Sequence, residues 1–195
     1  TQTKGNEVFV ISDPSSNIID SITVVPHQKT HSRGRDVNGG TNWSVFATTS
    51  SPGTNNNGAL LEYATTPAFS QPSGYYSAGI DVAINSPDPN ITIYYTVDGS
   101  LPDNTSLIYN SPVNITSTTV LKAVAYSSNP NIPRSFLEYN TYFINDTHTV
   151  SILSIAGTDL GDLLAGSWNL EPQGTVEYFD SNGNLLDKGT GEYNK

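Results

Sequence analysis

Apolar and polar residues alternate in short runs along most of this chain, and that period of two predicts strands. Glu7–Ser12 (EVFVIS), Ile18–Val25 (IIDSITVV) and Trp43–Ala47 (WSVFA) read as the first three. Pro67–Phe69, Ile80–Ile84, Ile91–Val97, Thr118–Tyr126 and Phe136–Ile144 follow. In Ile80–Ile84 the residues Ile80, Val82 and Ile84 share one face. In Thr118–Tyr126 the residues Val120, Lys122, Val124 and Tyr126 share one face, with Leu121, Ala123 and Ala125 on the other. Val150–Ile155, Thr175–Asp180 and Leu185–Gly189 complete the set. One stretch breaks the pattern. Asp159–Ala165 carries Leu160, Leu163 and Leu164 at helical spacing, enough for about two turns that need tertiary support.

Turn chemistry falls between these runs. Asp13–Asn17, Asp98–Gly99, Pro102–Asn104 and Ser181–Asn184 are rich in the residues that reverse a chain, the last as a hairpin turn. Ser50–Gly58 (SSPGTNNNG) is polar and turn-rich, and reads as the approach to a linker. The expected division is a partial β module over 1–57, a linker over 58–61, a sandwich over 62–146 and a truncated domain start over 147–195. The expected fold class is all-β: tandem sandwich modules, then a short helix and a β-hairpin in a partial C-terminal domain.

Composition narrows the partners. Charged residues are only 13% of the chain, against disorder by charge repulsion, and Asn, Ser, Thr, Gly and Tyr supply the polar surface. A net charge of −10 disfavours nucleic acid and anionic lipid. No apolar run approaches a membrane span, so membrane insertion is not expected. The absence of Cys removes disulfides and thiolate chemistry, and leans towards a bacterial source. The absence of Met, even at position 1, suggests a chain excised from a longer one.

The central segment carries a recognisable series. Pro67, Phe69 and Ser70 precede Gly74–Tyr75–Tyr76; Ile91–Ser100 (ITIYYTVDGS) follows, then Pro102, Ser106, Tyr109 and Pro112, and Thr118–Ala125 (TTVLKAVA). This series resembles the chitobiase/β-hexosaminidase C-terminal-type module, an Ig-like or fibronectin-III-like sandwich. The resemblance implies a module that is usually non-catalytic and sits beside enzymes or surface domains.

Two further resemblances flank it. Glu7–Val10, Ile19–Ser21, His31–Arg35, Gly39–Gly40, Trp43, Ser51–Gly53 and Asn55 resemble the C-terminal half of a lamin-tail-type domain. His148–Ile152, Asp159, Leu160 and Gly174–Asp180 leading to Gly183 resemble the opening of a CotH-type domain, which is kinase-like. The second resemblance implies that nucleotide and metal ligands would lie beyond Lys195.

Candidate sites are few. Asp180, Asn182 and Asn184 have the spacing of a calcium loop, but Leu185 stands where Gly is needed and Gly191 where Glu is needed, so a hairpin turn at Asn182–Gly183 is the better reading. Asp98 and Asp103 are the candidate calcium ligands; the plainer reading is that Asp98, beside Gly99, orders its own turn. No other cofactor is implied. His27, His31 and His148 share no helix face that would suit zinc. Arg33 and Arg35 could grip an anion, but Arg35 more simply bonds backbone carbonyls or Asp36 and fixes the loop before Trp43. Tyr75 and Tyr76, near a turn, are the candidate platforms for stacking on sugars. Sequons at Asn42, Asn90, Asn104, Asn114 and Asn145 would carry glycans only in a eukaryotic source.

No nucleophile–base–acid set and no phosphate loop can be specified, so no catalytic residue is assigned. The expected role is a non-catalytic accessory region of a larger secreted or cell-surface bacterial protein, spacing and presenting a neighbouring domain. Its expected partners are other domains of the parent chain, with glycans or cell-envelope components as further candidates. The rival readings are a carbohydrate-binding or adhesion module, and the N-terminal part of a CotH-type enzyme.

Overall fold

The computed structural model describes residues 7–47, 51, 53–166 and 173–192. Expectations that fall on Thr1–Asn6, on Ser50 and Pro52 of the polar run, and on 193–195 lie outside them. Among the described residues the regular structure is almost wholly β, with one short helix. It forms two compact units, Thr1–Leu61 and Glu62–Lys195.

The first unit holds two antiparallel ribbons. β1 (Val8–Ser12) pairs with β2 (Ile18–Thr23), and the Asp13 carboxylate closes the turn between them through the Ser15 and Asn17 amides. β3 (Ser32–Arg35) pairs with β4 (Trp43–Phe46), and Val45 bridges on to Leu60. Val45 and Phe46 are buried, whereas Val8, Phe9, Val10, Ile11, Ile18 and Ile19 of the first ribbon are each at least half exposed. Because neighbours alternate sides, both faces of that ribbon are apolar. β3 was not expected as a strand, since its sequence SRGR has no apolar residue and only its pairing with β4 makes it one.

The second unit opens with a two-layer sandwich. One layer has the order β10-β9-β12-β13-β6, built from Leu107–Ile108, Ile91–Thr96, Thr119–Ser127, Glu138–Ile144 and Gly74–Tyr76 respectively. All neighbours in it are antiparallel except β13 and β6, which are parallel. The opposing layer holds β5 (Ala68–Phe69) with β8 (Ile84–Asn85), and β7 (Ile80–Val82) with β11 (Val113–Ile115). The expected single strand over Ile80–Ile84 is thus two strands. The chain changes partner at Ala83, which exchanges hydrogen bonds with Ser70 through its carbonyl and its amide, both 2.9 Å long. Val82, Ile84, Val113 and Ile115 face Ile93, Leu121, Ala123, Ala125, Tyr142 and Ile144 across the core.

A third layer covers the outer face of the five-stranded sheet. β14 (Ile152–Gly157), β15 (Gln173–Phe179) and β16 (Leu185–Glu192) form an antiparallel meander, with α1 (Leu160–Leu164) between the first two. The Lys122 ammonium donates to the Ala156 carbonyl at 3.0 Å, and Phe179 sits edge-on to Phe143 with centroids 5.2 Å apart. The hairpin expected from Ser181–Asn184 therefore packs on the central sandwich, and 147–192 shares its unit. Both faces of β12 are buried, from Leu121 through Ala125.

Close approach between layers depends on glycine at two turns. Gly99 and Gly183 have φ of +81° and +82°, and a Cβ on them would lie 3.1 Å from Ala156 Cβ and 2.5 Å from Tyr75 Cδ2. Gly183→Ala is expected to destabilise the second unit by about 2 kcal/mol or more, from left-handed backbone strain plus displacement of the Tyr75 ring. Urea titration followed by tyrosine fluorescence reads this directly; a loss of only about 1 kcal/mol, the left-handed strain alone, would count against the packing.

Candidate functional site

The turns consume the acids that looked free in the sequence. The Asp98 carboxylate accepts from the Ser100 amide at 3.0 Å and from its hydroxyl at 2.6 Å. The Asp103 carboxylate accepts from the Thr105 amide at 2.8 Å and hydroxyl at 2.7 Å. Asp180 accepts from the Asn182 and Asn184 amides at 2.8 and 2.9 Å, while its carbonyl takes the Gly183 amide. Hydrogen bonds to the ionised form hold all three carboxyls below the usual range. Each acid therefore acts inside its own turn. Among the described residues, no three His, Cys, Asp or Glu side chains gather as a metal site would need.

Arg35 and Trp43 face each other across β3 and β4, with the guanidinium 4.3 Å above the indole. Arg35 also donates to the Thr41 carbonyl at 2.5 Å and pairs with Asp20. The acid it meets is Asp20 of β2, while Asp36 instead caps the Val37 amide and takes the Asn42 amide group. The guanidinium holds the Asp20 carboxyl below its usual value.

Tyr75 and Tyr76 lie on β6 and are half-buried. Tyr75 packs edge-on to Phe143 at 5.2 Å, and its hydroxyl is enclosed without a hydrogen-bond partner among the described residues. Tyr76 packs against Tyr142 at 5.9 Å and donates to the Pro72 carbonyl at 2.7 Å. Burial raises the phenol of each above its ordinary value. Neither ring is a flat, open platform. His148 is exposed and meets Asp146 at 3.4 Å.

The densest polar chemistry lies between the sandwich and the third layer, at residues the sequence pattern did not single out as a site. Glu177 of β15 is 1% exposed. Its two carboxylate oxygens accept from Ser73 Oγ and Thr141 Oγ1, each at 2.5 Å. With Glu177 ionised, Thr141 gives its one proton to the carboxylate, so Ser154 is the donor in the 2.8 Å contact between their hydroxyls. Burial pushes the Glu177 carboxyl above its usual value, against the opposing pull of those hydroxyls and of Lys188. Lys122, also fully buried, has its ammonium pulled down to about 8 by burial, against the attraction of Asp98 and Glu177. Lys122 in an otherwise alternating apolar strand is the one sequence signal that pointed here.

One groove opens at the sandwich edge, where β10 ends its sheet and β8 ends the other layer. Its volume is about 390 Å³, and Ile84, Asn85, Thr92, Ile93, Tyr109 and Asn110 are among its walls. No carboxylate, ammonium, guanidinium or imidazole lines it.

No curated protein and no solved structure matches the chain. A family model does: residues 71–134, from the turn before β6 to the loop after β12, match the chitobiase/beta-hexosaminidase C-terminal domain.

Proposed function

We propose that this chain is a non-catalytic accessory region of a larger secreted or cell-surface bacterial protein, which spaces and orients a neighbouring domain. The observation that carries this reading is the buried seam between the sandwich and the third layer. Glu177, Lys122 and Phe179 make three layers one body, which is what a spacer of fixed geometry needs. The match over 71–134 supports the same role, since modules of that family commonly accompany enzymes. No described helix is long and apolar enough to cross a membrane. The resemblances of the outer segments to lamin-tail and CotH-type domains fit a chain of several modules.

The chain has no Cys, so spin labels on Asn131→Cys and Leu186→Cys report one distance between the sandwich and the third layer. A single narrow distribution is expected; a broad or bimodal one would sink the rigid-spacer reading. Nucleotide titration of the chain should show no saturable uptake, and micromolar binding would favour an enzyme instead.

A second reading, glycan binding, rests on the groove between β8, β9 and β10. Its amides, hydroxyls and single aromatic ring, with no charge, suit a neutral saccharide better than an ion or a phosphate. Saturable binding on a glycan array that disappears with Tyr109→Ala, and not with Tyr75→Ala or Tyr76→Ala, would place the sugar there.

A further inference from the structure

We propose that the fold singles out Asn57–Gly58 as a modification site, where the chain converts its own asparagine to aspartate and isoaspartate through a cyclic imide. The site lies just before Leu61, where the first unit ends. It is independent of the spacer reading and of the groove.

The reaction needs two groups to meet freely. The Gly58 backbone nitrogen gives up its proton and attacks the side-chain carbonyl carbon of Asn57. A carbon–nitrogen bond forms, the bond from that carbon to the side-chain nitrogen breaks, and ammonia leaves with the proton. Water then opens the ring at either carbonyl. One opening restores the ordinary backbone as aspartate. The other carries the backbone through the former side chain as isoaspartate. Water is the co-reactant, and nothing is oxidised or reduced. A following glycine favours ring closure because it sets no Cβ in the way.

Three Asn–Gly pairs occur, at Asn38, Asn57 and Asn182. Two of them are tied down. The Asn38 side chain accepts from the Asn56 amide at 2.7 Å and donates to the Asn55 side-chain oxygen at 2.9 Å. Its carbonyl carbon is therefore held in place. At the hairpin the attacking nitrogen is held instead. The Gly183 amide donates to the Asp180 carbonyl at 3.1 Å, and Gly183 is buried against Tyr75. Asn57 and Gly58 are both exposed. Among the described residues, neither the Asn57 side chain nor the Gly58 amide makes a hydrogen bond. Nothing lies within 4 Å of where a Gly58 Cβ would stand, so the ring has room to close.

The product changes a pinned stretch of chain. The Asn56 side chain donates to the Arg35 carbonyl at 2.7 Å, and Leu60 exchanges backbone hydrogen bonds with Val45. Isoaspartate at position 57 adds one methylene to the main chain between these anchors. Either product adds a negative charge.

Incubation of the full chain in mildly alkaline buffer, followed by peptide mapping with mass spectrometry, tests this. Each conversion exchanges NH for O, and fragmentation separates aspartate from isoaspartate. In the folded chain Asn57 should convert at least about tenfold faster than Asn38 or Asn182, since hydrogen bonds must break before either of those reacts. In concentrated urea the three rates should come within about threefold of one another, because the fold no longer protects two of them. Asn55→Ala removes one of the two bonds on Asn38; it should speed conversion there and leave Asn182 unchanged. Equal rates at the three sites in the folded chain, or an order that persists in urea, would overturn the proposal.

Discussion

Phe179→Ala is expected to destabilise the second unit by about 3–5 kcal/mol. The Phe179 side chain is completely buried and meets Phe143 edge-on at 5.2 Å, and Phe143 in turn meets Tyr75 at the same distance. Removing the ring leaves a cavity between the third layer and the sandwich, where two sheets cannot collapse without breaking the hydrogen bonds of Glu177 and Lys122. The loss is a large part of the stability of an ordinary domain. The neighbouring residue provides the control. Tyr178 points the other way from the same strand and is 41% exposed, so Tyr178→Ala should change stability by about 0.5 kcal/mol or less. Urea unfolding of both variants measures the difference, and limited proteolysis should cut Phe179→Ala first within 147–192. Equal losses would mean that the third layer is not seated as described.

The second large effect is a rise of stability in alkali. Lys122 has a folded pKa of about 8 against an ordinary 10.5. The folded state therefore releases this proton first. Below pH 8 the ammonium is charged in both states, and folding carries the full cost of burying it. Above 10.5 it is neutral in both, and that cost is gone. The gain across the window is roughly 3 kcal/mol at about 1.4 kcal/mol per unit. Buried phenols limit it from above. Tyr142, Tyr75 and Tyr76 are raised by burial, so the stability they contribute is lost as pH climbs past 10. Stability should thus peak near pH 10. Glu177, also raised, acts in acid: its contribution is complete below its ordinary 4.5 and is lost as pH rises from there. Lys122→Met isolates the lysine. It should abolish the rise between pH 8 and 10 and be at least as stable as the parent at pH 7, because a buried cation is exchanged for an apolar chain. Thr175 still donates to the Ala156 carbonyl at 3.3 Å, so that acceptor is not stranded. Thermal unfolding across pH 6–10 checks this, and parallel curves for the two proteins would refute it.

The strands were legible where alternation was long and unbroken. Thr119–Ser127 and Glu138–Ile144 lie within a residue or two of where period two put them, because each is held on both sides in a sheet. The short strands Gly74–Tyr76, Leu107–Ile108 and Val113–Ile115 were not read as strands, since two or three residues carry no period. The turns at Asp98 and Asp180 were readable because an Asx side chain bonding its own backbone is local chemistry. The strands and helix of the third layer were readable, but its seat on the sandwich was not, since that depends on contacts such as Glu177 with Ser73, 104 residues apart. Lys122 illustrates the difference. Its place on one face of a strand follows from counting by twos, but only a second sheet over that face turns an ordinary surface lysine into a buried one. The tyrosines mislead for the same reason: Tyr75 sits near a turn, where rings are often open to solvent, yet the 181–184 hairpin closes over it.

The first ribbon has a practical consequence. Val8 to Ile11 is a four-residue apolar run, free of charge and proline, on a two-stranded sheet with both edges unpaired among the described residues. Such a strand is a template for stacking with further copies of itself. Preparations of this chain should therefore grow turbid or fibrous on concentration long before the second unit unfolds. Trimming the protein to start at Glu62 should yield a sample that keeps its shape in solution at concentrations where the longer one precipitates.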